Sequence, residues 1–321
     1  MIKHMVQTNF QKSARLPISI LVLITLTTVG SCFPSNNQIF DLASQATPLY
    51  LLLALACTAI FLKQKNKFFL FAGCLLFAIN AVPILDLFSI RTNCIDGDNS
   101  LHISVLEINL CAAENKNYDK FLALVNERNP DIIGIVEVSP DWVKIIRKLF
   151  QGYPYRVIDT TNGGIALLSR YPLANSAIQK TENQSRPRIY SEIRVGDQGI
   201  DFELVHLVTP HHGPFELRNA EFLQLGNEMR SCHDPTLVCG DFNCAPWSLR
   251  FRDLLSKTNY ADSENGFGLQ PSWSENVFRP LFPIDHLLTR GRICIDSRSV
   301  GPDIGSDHLP LFAKLTIARN R

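Results

Sequence analysis

Three long uncharged runs at the start of the chain constrain its fold more than any other feature. They cover Leu16–Phe33, Leu42–Leu62 and Phe68–Leu85, and they explain the high mean hydropathy of +0.05 for a chain of 321 residues. A helix needs about 20 apolar residues to cross a hydrocarbon core of about 30 Å, so each run suffices with help from its flanks. None of the runs shows the polar stripe expected of helices in a soluble bundle. The runs therefore predict three transmembrane helices.

Basic residues around these runs predict the orientation of the membrane region. Three basic residues precede the first run and three more lie between the second and third, whereas residues 34–48 contain none. Because cytoplasmic loops carry the excess of Lys and Arg, the N-terminus and the 63–67 loop are predicted to be cytoplasmic. The chain after the third span is then predicted to be extracytoplasmic. A cleaved signal over the first run stays open as an alternative, because Val29–Cys32 is similar to a lipoprotein cleavage site.

The rest of the chain has the composition of a soluble domain. Residues 1–88 contain six basic and two acidic residues, which leaves 25 basic and 28 acidic residues for 89–321. This slight acidic excess argues against a strongly basic nucleic-acid clamp. The predicted organisation is a membrane region at 1–90, a linker at 91–100 and one soluble domain at 101–321. Some of its cysteines are expected to pair if the domain is extracytoplasmic.

Strand-like and helix-like stretches alternate through the soluble domain. Their apolar patterns predict strands at Leu101–Asn109, Asp131–Val138 and Ile200–Leu207, and helices at Tyr118–Asn129 and Phe215–Arg230. Further strands are predicted at 164–169, 190–195, 236–242, 283–289, 293–300 and 309–317, and further helices at 140–150 and from about 247. Many strands with few helices favour an α+β fold. The prediction is a four-layer α/β/β/α sandwich, with two mostly antiparallel sheets face to face and the helices outside.

Polar residues recur where the predicted strands begin or end, which is where a rigid sheet projects catalytic groups. Each has an ordinary explanation when taken alone, because a single Glu or His beside a strand is commonly solvated and Asp-Phe-Asn is common turn chemistry. A whole set beside apolar strands is harder to explain in this way, since carboxylates are costly to bury without a partner. The set comprises Asn109, Glu137, His206, Asp241, Asn243, Asp285, Asp307 and His308.

The order of these residues resembles the endonuclease/exonuclease/phosphatase superfamily, whose signature runs Asn, Glu, His, Gly-Asp-x-Asn, Asp, Ser-Asp-His. The matching segments extend over residues 101–317, and Gly240–Asn243 together with Ser306–His308 is a specific pair of motifs. Residues 164–173 are also similar to the Ser-Arg-x-Pro segment of this family. With the three hydrophobic runs in front, the chain resembles a membrane-anchored bacterial branch of the family.

The resemblance implies a metal-dependent hydrolysis of a phosphoester. It implies that Glu137, with Asn109 and Asp307 nearby, holds Mg²⁺ or Mn²⁺, since these ions prefer oxygen ligands. It also implies that His308 is the general base, which takes the proton of the attacking water. Asp285 would orient the imidazole of His308 and stabilise its charged form.

Three further residues surround the phosphate in this scheme. Asp241 would align the water, while Asn243 and His206 would donate hydrogen bonds to the phosphoryl oxygens. Two positions depart from the common pattern of the family. Cys111 stands where many relatives have a second polar residue, and Val136 stands where Gln is frequent.

The sequence leaves three classes of function open. The leading prediction is a membrane-tethered phosphohydrolase that acts on a lipid-linked or other small phosphate ester, because the soluble domain is tethered at a lipid bilayer and is slightly acidic. A nuclease would need a basic groove, for which Arg186–Arg188 and Arg147–Lys148 are the short basic clusters in reach. A non-catalytic binding domain is the third class, although every residue of the signature is present. No obligate protein partner is predicted.

Overall fold

The computed structural model describes residues 2–30, 38–89, 100–181, 185–210, 214–273 and 282–318, with side chains from residue 15 onward. The chain divides into two units, of which one contains residues 1–86 and 246–252 and the other contains residues 87–245 and 253–321. Most of the predicted linker at 91–100 lies outside the described residues, as does Cys32 of the lipoprotein-like segment.

Helices form the first unit: α1 (Ile2–Gly30), α2 (Gln38–Gln45), α3 (Thr47–Lys63) and α4 (Lys67–Leu85). Among the described residues, Lys67–Phe88 forms the single helix that is long and apolar enough to cross a membrane. The α2 and α3 helices meet the same criterion together but bend by 67° where they join, next to Pro48, and the apolar part of α1 is shorter. Proline at the start of α3 lacks the N–H that a continuous helix would need. The prediction of three spans stays a prediction.

The helices of this unit approach each other through small and polar residues. A Cβ atom on Gly73 of α4 would lie 2.4 Å from Oγ1 of Thr58 in α3, so the glycine permits close packing. Asn80 of α4 donates its side-chain amide to Oγ1 of Thr28 in α1 at 3.0 Å, and both residues are buried. Contacts of this kind are typical of helices that associate within an apolar surrounding.

Residues 246–252 belong to the first unit through two buried contacts. Nε of Arg250 lies 3.1 Å from Oδ2 of Asp41, and both side chains are buried. Nε1 of Trp247 donates to the backbone carbonyl of Gln45 at 2.9 Å. Trp247 is therefore a packed and hydrogen-bonded residue of this unit.

Among the described residues, two six-stranded sheets and four helices form the second unit. The strands are β1 (Ser100–Asn109), β2 (Ile132–Val136), β3 (Tyr155–Asp159), β4 (Ile165–Ser169), β5 (Leu173–Gln179), β6 (Arg188–Val195), β7 (Gln198–His206), β8 (Thr236–Asp241), β9 (Ala261–Asp262), β10 (Asp285–Arg290), β11 (Ile293–Val300) and β12 (Leu311–Ala318). The helices are α5 (Tyr118–Arg128), α6 (Pro140–Leu149), α7 (Phe215–Ser231) and α8 (Leu249–Thr258), the first turn of which lies in the first unit.

The strand order is β11-β12-β1-β2-β4-β3 in the first sheet and β5-β6-β7-β8-β10-β9 in the second. Only β1 with β2 and β7 with β8 are parallel neighbours among the described strands. Apolar residues of both sheets, such as Val105, Leu167, Phe202 and Leu287, form a single core between them. Helices α5 and α6 cover the outer face of the first sheet through Phe121 and other apolar side chains. The predicted pair of packed sheets with helices is confirmed.

The sequence patterns missed strands β3, β5 and β9, and all three lie at sheet edges. The β5 strand is half-exposed to exposed along its length, and β9 has only two residues. Edge strands pair on one side only and are commonly polar, so they lack the apolar alternation that reveals central strands.

A buried ion pair joins α7 to the outer face of the second sheet. Nη1 of Arg188 lies 3.0 Å from Oε1 of Glu203 and 2.6 Å from Oε2 of Glu228. Burial raises the pKa of Glu203 to about 8, and the neighbouring Glu228 adds to the rise while Arg188 opposes it. Because the carboxyl binds its proton more tightly in the folded chain than in the unfolded chain, its contribution to stability is present at low pH and is lost as the pH rises to about 8.

We expect Glu203→Gln to weaken the pH dependence of stability between pH 5 and pH 8.5. The glutamine cannot titrate, so a loss on the order of a few kcal/mol in the wild type over this range should shrink in the variant. Thermal unfolding of the full chain in detergent, without added metal, measures the effect. Glu127→Gln is the control, since Glu127 is exposed. An equal decline in Glu203→Gln and the wild type would contradict the assignment.

Candidate active site

The predicted site residues lie at strand ends that meet along one rim of the sandwich. Asn109 ends β1 and Glu137 directly follows β2, its parallel neighbour. In the other sheet, His206 and Asp241 end the parallel strands β7 and β8 and are register partners. The β10 strand is antiparallel to β8, so its first residue, Asp285, is paired with Asp241. Topology therefore brings residues far apart in sequence to one edge.

Direct contacts connect four of these side chains across the two sheets. Nδ1 of His308 lies 2.8 Å from Oδ2 of Asp285, and both side chains are buried. Nδ2 of Asn109 donates to Oδ2 of Asp241 at 3.2 Å and lies 3.5 Å from Nε2 of His308. This same nitrogen of His308 lies 3.8 Å from Oδ2 of Asp241. The histidine thus stands between two carboxylates and an amide.

His206 joins Glu137 to this group. Nε2 of His206 lies 3.5 Å from Oδ2 of Asp241 and 3.6 Å from Oε1 of Glu137. It also contacts Nη1 of Arg186. A guanidinium only donates hydrogen bonds, so Nε2 of His206 accepts this one and the ring is neutral. Burial lowers the pKa of His206 far below its ordinary value, and the positive charges of Arg186 and His308 lower it further.

Asn243 and Arg186 lie side by side at the second sheet. Nδ2 of Asn243 and Nη1 of Arg186 each donate to the backbone carbonyl of Leu207 at 3.0 Å. The backbone N–H of Asn243 donates to Oδ1 of Asp241 at 2.8 Å. Among the residues that the structure describes, none forms an ion pair with Arg186. A half-buried cation beside a donor amide is a suitable place for a phosphoryl group.

The sequence marks Arg186 only as part of a short basic cluster, and it gives no sign that Arg188 plays a different part. The antiparallel pairing of β6 with β7 aligns Ile189 with Leu204, and continuing this register aligns Arg186 with Leu207, directly after His206. Arg188 instead points to the buried ion pair with Glu203. Knowledge of this strand register is the signal that would have identified Arg186.

Asp307 is the most exposed of the predicted metal ligands. Its Oδ2 accepts a hydrogen bond from Nε1 of Trp273 at 3.2 Å. Burial and the neighbouring carboxylates of Asp307 and Glu137 together raise the pKa of the Cys111 thiol to about 12. Cys111 is a free cysteine, so it faces the predicted metal ligands as a protonated thiol. Trp273 was not singled out from the sequence.

His308 carries the positive charge that offsets the carboxylates of Asp285 and Asp241 at the rim. Burial alone would lower the pKa of His308, but Asp285 and Asp241 outweigh burial and raise it to about 10. Burial also raises the pKa of Asp241 to about 7, although His308 opposes this. The ring therefore carries a proton at neutral pH, as a counter-ion to the carboxylates.

A further carboxyl group, Glu107, lies beneath the rim on β1. It is fully buried, and neither of its oxygens has a hydrogen-bond partner among the described residues. Burial raises its pKa well above the ordinary value, and the charges of Asp285 and Asp241 raise it further. Glu107 is thus a neutral acid under the site.

Two sets of oxygen and nitrogen atoms are suitable for a divalent cation. Glu137, Asp307 and Asn109 offer two carboxylates and an amide oxygen, the hard donors that Mg²⁺ and Mn²⁺ prefer. Asp241, Asp285 and His308 have ligand atoms within 4.8 Å of one another. In the second set, Nδ1 of His308 is already bonded to Asp285. In the first set, Oδ1 of Asn109 accepts the backbone N–H of Cys111 at 3.0 Å and keeps a second lone pair.

A family of known proteins matches this site and fold. Residues 107–308 match the endonuclease/exonuclease/phosphatase family. The chain belongs to this family. Its members hydrolyse phosphoester bonds with divalent metal ions, and the chain is a hydrolase of this class. The matched segment begins at Glu107 and ends at His308, so it contains every predicted site residue.

Solved structures with the same fold include bacterial and animal proteins. Family members from Bacteroides thetaiotaomicron and Bacteroides vulgatus are 17% and 16% identical, cover 68% of this chain and 96% and 100% of their own, and have TM-scores of 0.56 and 0.57. Zebrafish (D. rerio) TDP2, in complex with a single-strand DNA product, is 14% identical over 67% of this chain and 98% of its own, with a TM-score of 0.58. Curated protein sequences give no match. At these identities the structural neighbours establish the fold alone.

We expect Gly240→Ala to disrupt the site. Gly240 has a φ of +136°, and a Cβ atom there would lie 1.9 Å from the carbonyl oxygen of Val205 in the parallel strand β7. The strands must separate next to Asp241, so the free energy of unfolding should fall by roughly 2–4 kcal/mol and activity should drop. Denaturant unfolding and a hydrolysis assay measure both. Gly152→Ala is the control, because nothing lies within 4 Å of its added Cβ. Equal stability of the two variants would contradict this account.

Proposed function

We propose that this chain is a membrane-anchored, divalent-metal-dependent phosphoester hydrolase whose catalytic domain lies outside the cytoplasm and acts on a lipid-linked phosphate. The single observation that carries the catalytic part is the connected group of Glu137, His206, Asp241, Asn109 and His308, in which each side chain lies within 3.8 Å of the next. Such a group combines oxygen ligands, a titratable ring and hydrogen-bond donors at one rim, which is what phosphoester hydrolysis needs.

In this proposal Glu137, Asn109 and Asp307 hold Mg²⁺ or Mn²⁺. The bound ion would supply positive charge that offsets the negative charge of the phosphate. Two observations support this donor set. Glu137 and Asp307 both lie close to the thiol of Cys111, and the donors are hard oxygens.

His308 is the proposed general base, with Asp285 as its orienting partner. The hydrogen bond from Nδ1 to Oδ2 of Asp285 fixes the ring and leaves Nε2 facing Asp241 and Asn109. Since Asp285 and Asp241 raise the pKa of His308 to about 10, the ring must lose its proton before it can accept one from water. Added positive charge at the rim favours that loss, because it opposes the imidazolium.

The proposed phosphoryl-binding groups are Asn243 and Arg186. The sequence predicted a donor role for His206, but its Nε2 accepts a hydrogen bond from Arg186. Arg186 is therefore the proposed charged donor to the phosphoryl group at the second sheet, and neutral His206 orients it. Asn243 keeps its predicted role, since its amide lies beside Arg186 on the carbonyl of Leu207.

Two observations support membrane anchoring and an extracytoplasmic domain. The apolar helix Lys67–Phe88 is largely exposed, with only 17% of its most apolar window buried, unlike the core helix of a soluble protein. Cys294 of β11 is disulfide-bonded, and disulfides form and persist in oxidising compartments. The basic loop at 63–67 favours the same orientation. A hydrolase held at the bilayer on that side has lipid-linked phosphates within its reach.

A nuclease is the second candidate, favoured by the likeness to TDP2 bound to a single-strand DNA product. The distribution of accessible positive charge argues against a nuclease. Arg188 is buried with Glu203 and Glu228, so the cluster at 186–188 contributes only Arg186 to the rim. A groove that follows a nucleic-acid backbone needs several accessible cations.

We expect Glu137→Ala and His308→Ala each to lower kcat/KM for phosphoester hydrolysis by about 10²-fold or more, because one removes a metal ligand and the other the proton acceptor. Phosphate release by the full chain in detergent, with Mg²⁺ or Mn²⁺ and with EDTA, measures this. Glu127→Ala and His233→Ala are the matched controls, since both side chains are exposed. Wild-type activity in both site variants would sink the residue assignment. Metal binding without any turnover would favour a binding domain.

We expect the full chain to release phosphate faster from a polyprenyl phosphate or diphosphate than to cleave single-stranded DNA. The comparison is made at equal substrate concentration, with Mg²⁺ or Mn²⁺ present. Faster cleavage of DNA would replace the lipid-linked proposal by the nuclease. The compartment is tested separately by labelling of a cysteine introduced at exposed Asp253 in intact cells with an impermeant reagent. Protection of that cysteine would contradict the extracytoplasmic orientation.

A further inference from the structure

The loop after β8 carries Asn243 in a left-handed backbone conformation, with a φ of +49°. This conformation is unfavourable for most residues and persists only when neighbouring groups hold it. Two buried cations from different elements bond to the carbonyls of this loop. Nη2 of Arg218 donates to the carbonyl of Asn243 at 3.1 Å, and Nε2 of His286 lies 2.8 Å from the carbonyl of Cys244.

His286 directly follows Asp285, and its side chain is fully buried away from the rim contacts of that residue. Its Nδ1 lies 2.9 Å from Oδ2 of Asp262, while Nε2 faces the carbonyl of Cys244. A carboxylate and a carbonyl only accept hydrogen bonds, so both ring nitrogens carry hydrogens and the ring is an imidazolium. The position therefore has a partner of its own and does more than flank Asp285.

The surroundings of His286 are charge-balanced and do not form a metal site. Asp262, Glu264 and His286 have ligand atoms within 4.8 Å of one another. Both nitrogens of His286 are occupied, however, and Nη2 of buried Arg298 lies 3.8 Å from Oε2 of Glu264. Nε of Arg298 also donates to Oγ of Ser263 at 3.1 Å. Two cations thus face two carboxylates, so a divalent ion would add positive charge that no further carboxylate offsets.

Arg218 holds the loop from the opposite side. It is fully buried on α7, and its Nη1 also donates to the carbonyl of Val208. Glu221, one turn further along α7, accepts the backbone N–H of Val208 at 2.7 Å. The helix therefore holds the backbone after β7 and the backbone after β8 in a fixed relation. These are the two segments whose meeting places the amide of Asn243 on the carbonyl of Leu207.

We propose that His286 and Arg218 are positioning residues that clamp the Asn243–Cys244 backbone and thereby hold the phosphoryl-binding amide of Asn243 in place, a role that rests on the proposed phosphoester hydrolysis. The clamp belongs to the second sheet and its helix, whereas the proposed metal ligands Glu137 and Asn109 belong to the first sheet. Loss of the clamp should therefore impair turnover and leave metal affinity unchanged.

The test compares His286→Phe, His286→Gln and Arg218→Met in the full chain in detergent. Phenylalanine keeps the ring volume without a donor, while glutamine restores a donor toward Cys244. We expect His286→Phe and Arg218→Met to lower kcat by 10- to 100-fold, as is usual for residues that hold functional groups, and His286→Gln to recover most of it. Mn²⁺ affinity, measured by calorimetry, should change less than threefold. Arg188→Met is the control, because it removes a buried cation that does not contact the loop.

Amide hydrogen exchange of residues 242–246, followed by mass spectrometry, supplies a readout that does not need turnover. Exchange should accelerate at least tenfold in His286→Phe and Arg218→Met and stay unchanged in Arg188→Met. Wild-type exchange or wild-type kcat in His286→Phe would overturn the clamp, as would a loss of Mn²⁺ affinity equal to the loss of kcat. If the unchanged chain hydrolyses no phosphoester, the proposed function fails, and the exchange data still decide whether the clamp holds the loop.

Discussion

Two buried carboxylates, Asp241 and Asp285, are paired across neighbouring strands, and the rest of the site depends on how their repulsion is offset. Two like charges at this spacing in a protein interior destabilise the fold unless positive charge or hydrogen-bond donors face them. His308 supplies that charge, because its ring lies 2.8 Å from Asp285 and 3.8 Å from Asp241. The arrangement that offsets this repulsion therefore also places a titratable ring at the rim. Fold stability and the proposed proton transfer therefore involve the same three side chains.

Glu107 is a third buried carboxyl group next to the two aspartates. It lies on β1 beneath the two aspartates, fully buried and without a hydrogen-bond partner among the described residues. An ionised third carboxylate would exceed the positive charge available, and burial together with Asp285 and Asp241 raises its pKa far enough to keep it neutral. A single histidine can thus offset the repulsion at the rim. A divalent cation bound by Glu137 and Asp307 would add positive charge on the exposed side of the same group.

The two sheets contribute different groups to the site. The first sheet carries the proposed cation ligands Asn109 and Glu137 at the ends of its parallel pair β1 and β2. The second sheet carries the proposed phosphoryl-binding groups Asn243 and Arg186. Buried Arg218 and His286 bond to the backbone carbonyls of Asn243 and Cys244. Because the apolar core between the sheets is continuous, their edges keep a fixed separation. In the proposed function, a phosphate would bind between a cation at the first sheet and the hydrogen-bond donors of the second.

By itself, the sequence determined the family, the pair of packed sheets and the central strands, because apolar alternation and the Gly-Asp-x-Asn and Ser-Asp-His motifs are local features. It also predicted site residues such as Glu137 and His308, which follow or precede strands as the motif requires. Only the tertiary structure revealed the edge strands, the acceptor role of His206, and the different partners of Arg186 and Arg188. These features depend on strand register and on which face of a strand is covered. Arg188 and Arg186 look alike in sequence, but Arg188 pairs with Glu203, whereas Arg186 contacts His206. The number of membrane spans and their orientation are predictions from composition, since neither the fold nor the family requires them.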